Sequence, residues 1–128
     1  MSIVGKLRPA GPSGGVVEIN VRRRGDVQLI ELRGALRLGD GVEALRAAVE
    51  EAFAAGDVKI VVNLAEVPMI DSSAIGVLVK CMASAKQRGG AVKLVNPSKF
   101  AAQTLRLVGV LILFQVFDNE AAAVASFS

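Results

Sequence analysis

The run Lys59-Ile60-Val61-Val62-Asn63-Leu64-Ala65-Glu66-Val67-Pro68-Met69-Ile70-Asp71-Ser72-Ser73-Ala74-Ile75-Gly76-Val77-Leu78 decides how this chain folds. Ile60, Val61 and Val62 are continuously apolar, the pattern of a strand buried on both faces of a sheet covered by helices. After a loop through Pro68 the period changes. Ile75, Leu78, Val79 and Met82 recur at i, i+3, i+4 and i+7, the apolar stripe of a helix. That helix stops at Arg88-Gly89-Gly90, with basic residues in its last turn and glycine beyond. Ser72 and Ser73 stand where its N-cap belongs.

Upstream, Val17, Ile19 and Val21 alternate with polar residues, a half-buried strand. Arg24-Gly25-Asp26 supplies a turn and Val27–Leu32 returns, so the two form a hairpin. Gly39-Asp40-Gly41 breaks the chain, with Asp40 placed as an N-cap. Val42, Leu45, Val49, Ala52 and Phe53 then follow at helical spacing, with Glu43, Arg46 and Glu50 outward, until Gly56. Downstream, Val92, Leu94 and Val95 read as a strand, and Asn96-Pro97-Ser98 opens a helix to about Leu107. A short strand near Phe114–Phe117 and a last alanine-rich helix capped by Asp118 complete the order ββαβαβαβα. The expected class is α/β: a mixed sheet, N-terminal hairpin plus parallel strands, packed with helices. Right-handed crossovers put the connecting helices on one face if the strands lie in sheet order.

Pro9, Gly11, Pro12, Gly14 and Gly15 mark residues 1–15 as a flexible lead-in, leaving 16–128 as one domain. Of the 128 residues, 52% are apolar and 21% charged, enough for a single core. Histidine is absent, which removes any His-based triad, proton shuttle or imidazole metal site. Cys81 is the only cysteine, so there is no internal disulfide and no thiolate zinc cage. No metal or cofactor is expected. Residues 1–15 lack the apolar region of a signal peptide, and the greasy run Val108–Phe117 is too short to span a bilayer. The expectation is a cytoplasmic protein with no transmembrane segment. Charge is unevenly spread: residues 38–71 hold seven acidic and two basic side chains, residues 72–117 six basic and none acidic. That polarity either steers a charged partner or reflects solvated helix faces.

Several motifs carry little. Gly11-Pro12-Ser13-Gly14-Gly15 matches G-x-S-x-G, but lacks the preceding strand, the following helix and a histidine. Asn96-Pro97-Ser98 has proline in the middle and is no glycosylation site. Arg22-Arg23-Arg24 has no Tyr or Trp to interleave and reads as a solvated hairpin tip, so no direct nucleic-acid binding is expected. Cys81, on a helix beside Lys80, reads as a structural thiol. No nucleophile has a visible base, so the chain is not expected to be an enzyme. The informative segment is Asp71-Ser72-Ser73-Ala74-Ile75-Gly76. A phosphate there meets backbone N–H groups and the positive end of a helix dipole.

Val67-Pro68-Met69-Ile70-Asp71-Ser72-Ser73-Ala74-Ile75-Gly76-Val77-Leu78 resembles the signature loop and helix start of STAS domains, named for sulphate transporters and anti-sigma-factor antagonists. The resemblance continues through Arg88-Gly89-Gly90, Leu94-Val95-Asn96-Pro97-Ser98 and Val108-Gly109 to Leu113, Phe114 and Phe117, about residues 16–127. It implies a partner-switching module: an anti-sigma kinase phosphorylates the serine after the aspartate, here Ser72, and a phosphatase resets it. The unmodified form binds the kinase and releases the sigma factor. It also implies a partner-binding surface including Asp71, Ser73, Ile75, Gly76, Leu36 and Arg37.

Two departures bear on the partner. Antagonists of this type usually carry Gly-Glu-Leu-Asp after the second strand, and here the stretch is Gly34-Ala35-Leu36-Arg37. Leu111 and Ile112 replace residues that are usually polar, which points to an added apolar contact patch for a partner or for weak self-association, unless a local register change buries both. The alternative to a phospho-switched antagonist is a structural STAS subunit docked permanently in a transporter or signalling assembly.

Overall fold

Alternation in the first half of the chain builds a twisted edge, and continuous apolar runs in the second half build a parallel centre. A computed structural model describes residues 3–9 and 16–127. Its six strands are β1 (Ile3–Pro9), β2 (Val16–Arg24), β3 (Val27–Arg33), β4 (Lys59–Glu66), β5 (Ala91–Val95) and β6 (Val116–Phe117). They lie side by side in chain order. The β1–β2 and β2–β3 pairs are antiparallel, and every later pair is parallel. The helices are α1 (Asp40–Ala54), α2 (Ser72–Gln87), α3 (Lys99–Leu107) and α4 (Glu120–Ala125), with a 3₁₀ turn at Leu111–Leu113.

Because the parallel strands follow one another in order, the crossover helices α1, α2 and α3 fall on one face, as right-handed connection requires. There Ile30, Leu32, Ile60, Val62, Leu64, Val92 and Leu94 meet Leu45 and Val49 of α1, Leu78 and Cys81 of α2, and Leu105 of α3. The opposite face is smaller: Val27, Leu29, Val61 and Val95 lie under Ala123 of α4, with Phe117, Val124 and Phe127 beside it. Val61 therefore faces one layer and Ile60 and Val62 the other, and all three are fully buried. Each such side chain contributes roughly 1.5–3 kcal/mol on burial. α2 also sits hard against the sheet. A Cβ at Gly90 would lie 2.0 Å from the Val58 carbonyl oxygen, so the stop glycine is set by close approach.

The lead-in differs from expectation. Ile3–Pro9 forms β1 on the edge of β2, making the order βββαβαβαβα, while residues 10–15 lie outside the described residues. An edge strand tolerates proline, because its missing N–H leaves the ladder intact on the outer side. Two caps shift by one residue. α1 is capped by Gly39, at φ 122°, and Asp40 is its first helical residue; α4 is capped by Asn119, whose side chain accepts from the Ala122 N–H, rather than by Asp118. The last strand shrinks to Val116–Phe117. The arginine triplet is a solvated tip only in part: Arg23 and Arg24 are exposed, but Arg22 and Arg23 are also paired. Arg22 donates through Nη2 to both carboxylate oxygens of Glu120 at the start of α4 (2.8 and 2.7 Å), and Asn63 of β4 donates to the same carboxylate at 2.8 Å. Arg23 pairs with buried Asp57, which also accepts from Gln28 at 2.9 Å. Both arginines fasten elements together, and Arg24 is exposed.

Parallel strands give the sheet two unlike ends. The segments leaving the strands' C-termini, 34–39, 67–71 and 96–98, lie at one end. The segments entering their N-termini, including the β2–β3 turn and 108–115, lie at the other. A strand of five to eight residues separates the two ends by about 20 Å.

Candidate functional site

The first end carries the Asp71-Ser72-Ser73 segment. The loop before it is zipped to the loop after β3 by backbone bonds. Gly34 N–H donates to Glu66 O, Leu36 N–H to Met69 O and Asp71 N–H to Leu36 O, each at 3.0 Å, and Leu36 bridges Ile70 in parallel. Leu36, Val67 and Ile70 are buried beneath this zipper. Leu36 therefore positions the site and does not line it, a correction to its reading as a contact residue.

Asp71, not Ser72 or Ser73, is the N-cap of α2. Its Oδ1 accepts the Ala74 N–H at 3.1 Å and the Ser73 hydroxyl at 2.5 Å, while its Oδ2 accepts the Leu38 N–H at 2.9 Å. Partial burial pushes the carboxyl pKa up, but the bonds from Ser73, Leu38 and Ala74 outweigh it and hold the group below its ordinary 3.8. Ser73 is half-buried with its hydroxyl committed inward. Ser72 is exposed at the first helical position. Ile75 is half-buried against the core, and Gly76 is exposed one turn beyond Ser72. A Cβ on Gly76 would meet nothing within 4 Å, so no packing demand of this chain explains the glycine.

Arg37 is exposed on the neighbouring loop, and Leu38 beside it is 83% exposed. Leu38 is the residue that sequence reasoning missed. Its only signal was an apolar side chain between Arg37 and Gly39, in a loop with no helical or strand period.

Leu111 and Ile112 are not brought to this site. They lie in the 3₁₀ turn at the other end of the sheet, with Leu111 half-buried and Ile112 89% exposed. Cys81 does not join it either. It lies under a cleft of about 420 Å³ between α1 and α2, and burial, with Glu50 adding to it, pushes its thiol up to about 11. Lys80 does not activate it. Among the described residues no group of His, Cys, Asp and Glu side chains is arranged to hold a metal ion, and no helix is long and apolar enough to cross a membrane.

Comparison with known proteins agrees with this fold. The STAS domain family model matches residues 18–123. Among solved structures, TM1081 of Thermotoga maritima, named as a candidate anti-sigma factor antagonist, superposes with a TM-score of 0.78 at 24% identity, over 84% of this chain and 92% of that one. An anti-sigma factor antagonist from Mycobacterium paratuberculosis gives 0.77 at 16% identity, over 91% and 97%. SpoIIAA of Bacillus in its phosphorylated form gives 0.70 at 22% identity, over 86% and 99%. No curated protein matches this chain in sequence.

Proposed function

Because this chain belongs to the STAS domain family, we propose that it is a phosphorylation-controlled anti-sigma-factor antagonist, a switch that acts by docking and not by catalysis. It binds an anti-sigma or related signalling kinase while Ser72 is unmodified and releases it after phosphorylation, and a phosphatase resets it. The observation that carries this reading is the contrast between two adjacent serines: Ser73 donates inward to Asp71, whereas Ser72 stands exposed at the start of α2. A kinase can reach the second hydroxyl without unfolding the cap. Further support comes from SpoIIAA, a protein of similar fold known in unphosphorylated and phosphorylated forms.

Phosphorylation adds roughly −1.5 to −2 charges beside the Asp71 carboxylate at neutral pH. The N-terminus of α2 offers dipole compensation, so the domain keeps its fold. A partner shaped for a neutral hydroxyl must instead bury a dianion, at a cost of several kcal/mol. A loss of about 3 kcal/mol weakens binding roughly a hundredfold, enough for a switch. The docking face around Ser72 comprises Asp71, Ser73, Ile75, Gly76, Arg37 and Leu38. Arg37, at a position usually acidic, selects a partner surface of opposite sign. Localisation is cytoplasmic, where such a kinase and its ATP are found.

The test is reaction of the pure protein with its kinase and ATP, with phosphosite mapping by mass spectrometry. Phosphate on Ser72, tight binding by Ser72→Ala and weak binding by Ser72→Asp are expected. Ala35 and Arg37 favour a second reading, a structural STAS subunit docked permanently in a larger assembly. Phosphate on Ser73 alone, or equal partner affinity of the Ala and Asp variants, moves that reading to the front.

A further inference from the structure

The end of α3 and its connection to β6 expose four large apolar side chains. Leu107 is 79% exposed, Val108 56%, Ile112 89% and Leu113 50%. The cause is local. In a 3₁₀ turn residues i and i+3 share a side, so Leu111 and Phe114 turn inward together and Ile112 and Leu113 are left outside. A groove of about 310 Å³ opens next to them, lined by Met82, Lys86, Val92, Leu113 and Gln115. Lys86 at its rim and Arg106 beside Leu107 are exposed, and the whole of residues 72–117 contains no acidic side chain.

We propose that this end of the sheet is a second docking surface, taking an acidic amphipathic segment of a partner protein independently of the state of Ser72. The apolar cluster supplies the driving area, which a monomer seldom leaves uncovered. The groove accepts one anchoring apolar side chain, and Lys86 on its lining and Arg106 next to Leu107 choose carboxylates around it. A bilayer would touch the protruding Leu107 and Ile112 but leave the groove empty. A two-fold pair of this chain would set this surface on its own copy, so that its lysine and arginine would meet a surface that is basic too. Charge complementarity therefore selects an acidic protein segment. The loop carrying Ser72 is about 20 Å away at the other end of the strands. Both surfaces can be occupied at once, which makes the domain a bridge as well as a switch.

Two fluorescent amphipathic peptides test this, identical in their Leu and Phe stripe but flanked by Glu in one and Lys in the other. Binding to the full chain is read by anisotropy. The Glu peptide should bind at least roughly tenfold tighter than the Lys peptide, with a preference that weakens in salt. Ile112→Asp with Leu113→Asp should abolish that binding while the melting temperature holds, since both side chains are outside. Lys86→Glu with Arg106→Glu should reverse the preference without touching the apolar cluster, and Ser72→Asp should leave the affinity within about twofold. Equal binding of the two peptides overturns the proposal, as does binding unaffected by the Asp pair. It is likewise overturned if the Asp pair instead abolishes sedimentation with phosphatidylglycerol vesicles, or a concentration-dependent dimer.

Discussion

The carboxylate of Asp71 holds the Leu38 N–H at 2.9 Å through one oxygen and caps α2 through the other. One side chain thus joins two loops thirty-three positions apart and sets the height at which Ser72 is presented.

Asp71→Ala should cost about 1–2 kcal/mol, the range for losing a helix N-cap, and should loosen residues 34–39 as well. Hydrogen exchange should show the Leu38 amide opening with the α2 N-terminus. Because the folded pKa lies below the ordinary 3.8, the stability this group contributes is present above that value and is lost as pH falls through the folded one. Asp71→Asn should remove that acid dependence; an unchanged acid limb in the variant would show that the carboxylate is not a source of it.

Gly76→Ala separates docking from folding. Nothing lies within 4 Å of the added methyl, and alanine is favoured over glycine in a helix by about 1 kcal/mol. The variant should melt higher yet bind a Ser72-dependent partner more weakly, because the docking face proposed above includes Gly76. A rise in stability with unchanged affinity would remove Gly76 from the docking face.

Arg22→Ala should destabilise by roughly 2 kcal/mol, since it leaves the partly buried Glu120 carboxylate with only Asn63. Burial alone would raise the Glu120 pKa, but Arg22 and Asn63 hold it below 4.5, so this contribution is lost as pH falls through that folded value. A double-mutant cycle with Glu120→Gln measures the coupling, and additive losses would show the pair to be idle. Nucleic-acid affinity should be weak in both parent and variant, and should vanish at moderate salt.

Cys81 should react slowly with iodoacetamide at pH 8, because a thiol held at about 11 carries little thiolate there. Labelling should speed up only under denaturant. Rapid modification of the native protein would mean that the α1–α2 cleft opens.

The strand β4 was legible because burial on both faces leaves a continuous apolar run, which no half-exposed element produces. The phase of α2 was harder. Its deepest stripe is Ala74, Leu78, Cys81 and Ala85, three of them small enough to let the helix approach the sheet, while Ile75, Val79 and Met82 flank it. Ranking by hydrophobicity alone therefore rotates the helix slightly. β1 was hidden because proline and glycine dominate its surroundings. The site itself was half legible. Asp71 and Ser72 announce a helix start, but the zipper to Leu36 is built from backbone bonds between distant loops, which leave no trace in side-chain pattern.

That zipper has a consequence for how such domains diversify. Ala35, Arg37 and Leu38 hang from a loop attached by main-chain groups, by Asp71 and by the buried Leu36 side chain. The exposed side chains of Arg37 and Leu38 can be exchanged with little effect on folding, so in the docking role proposed above they would serve as an address that mutation rewrites letter by letter. Duplicated copies in one cell could then diverge in whom they recognise while their stability, and the presentation of Ser72, stayed the same.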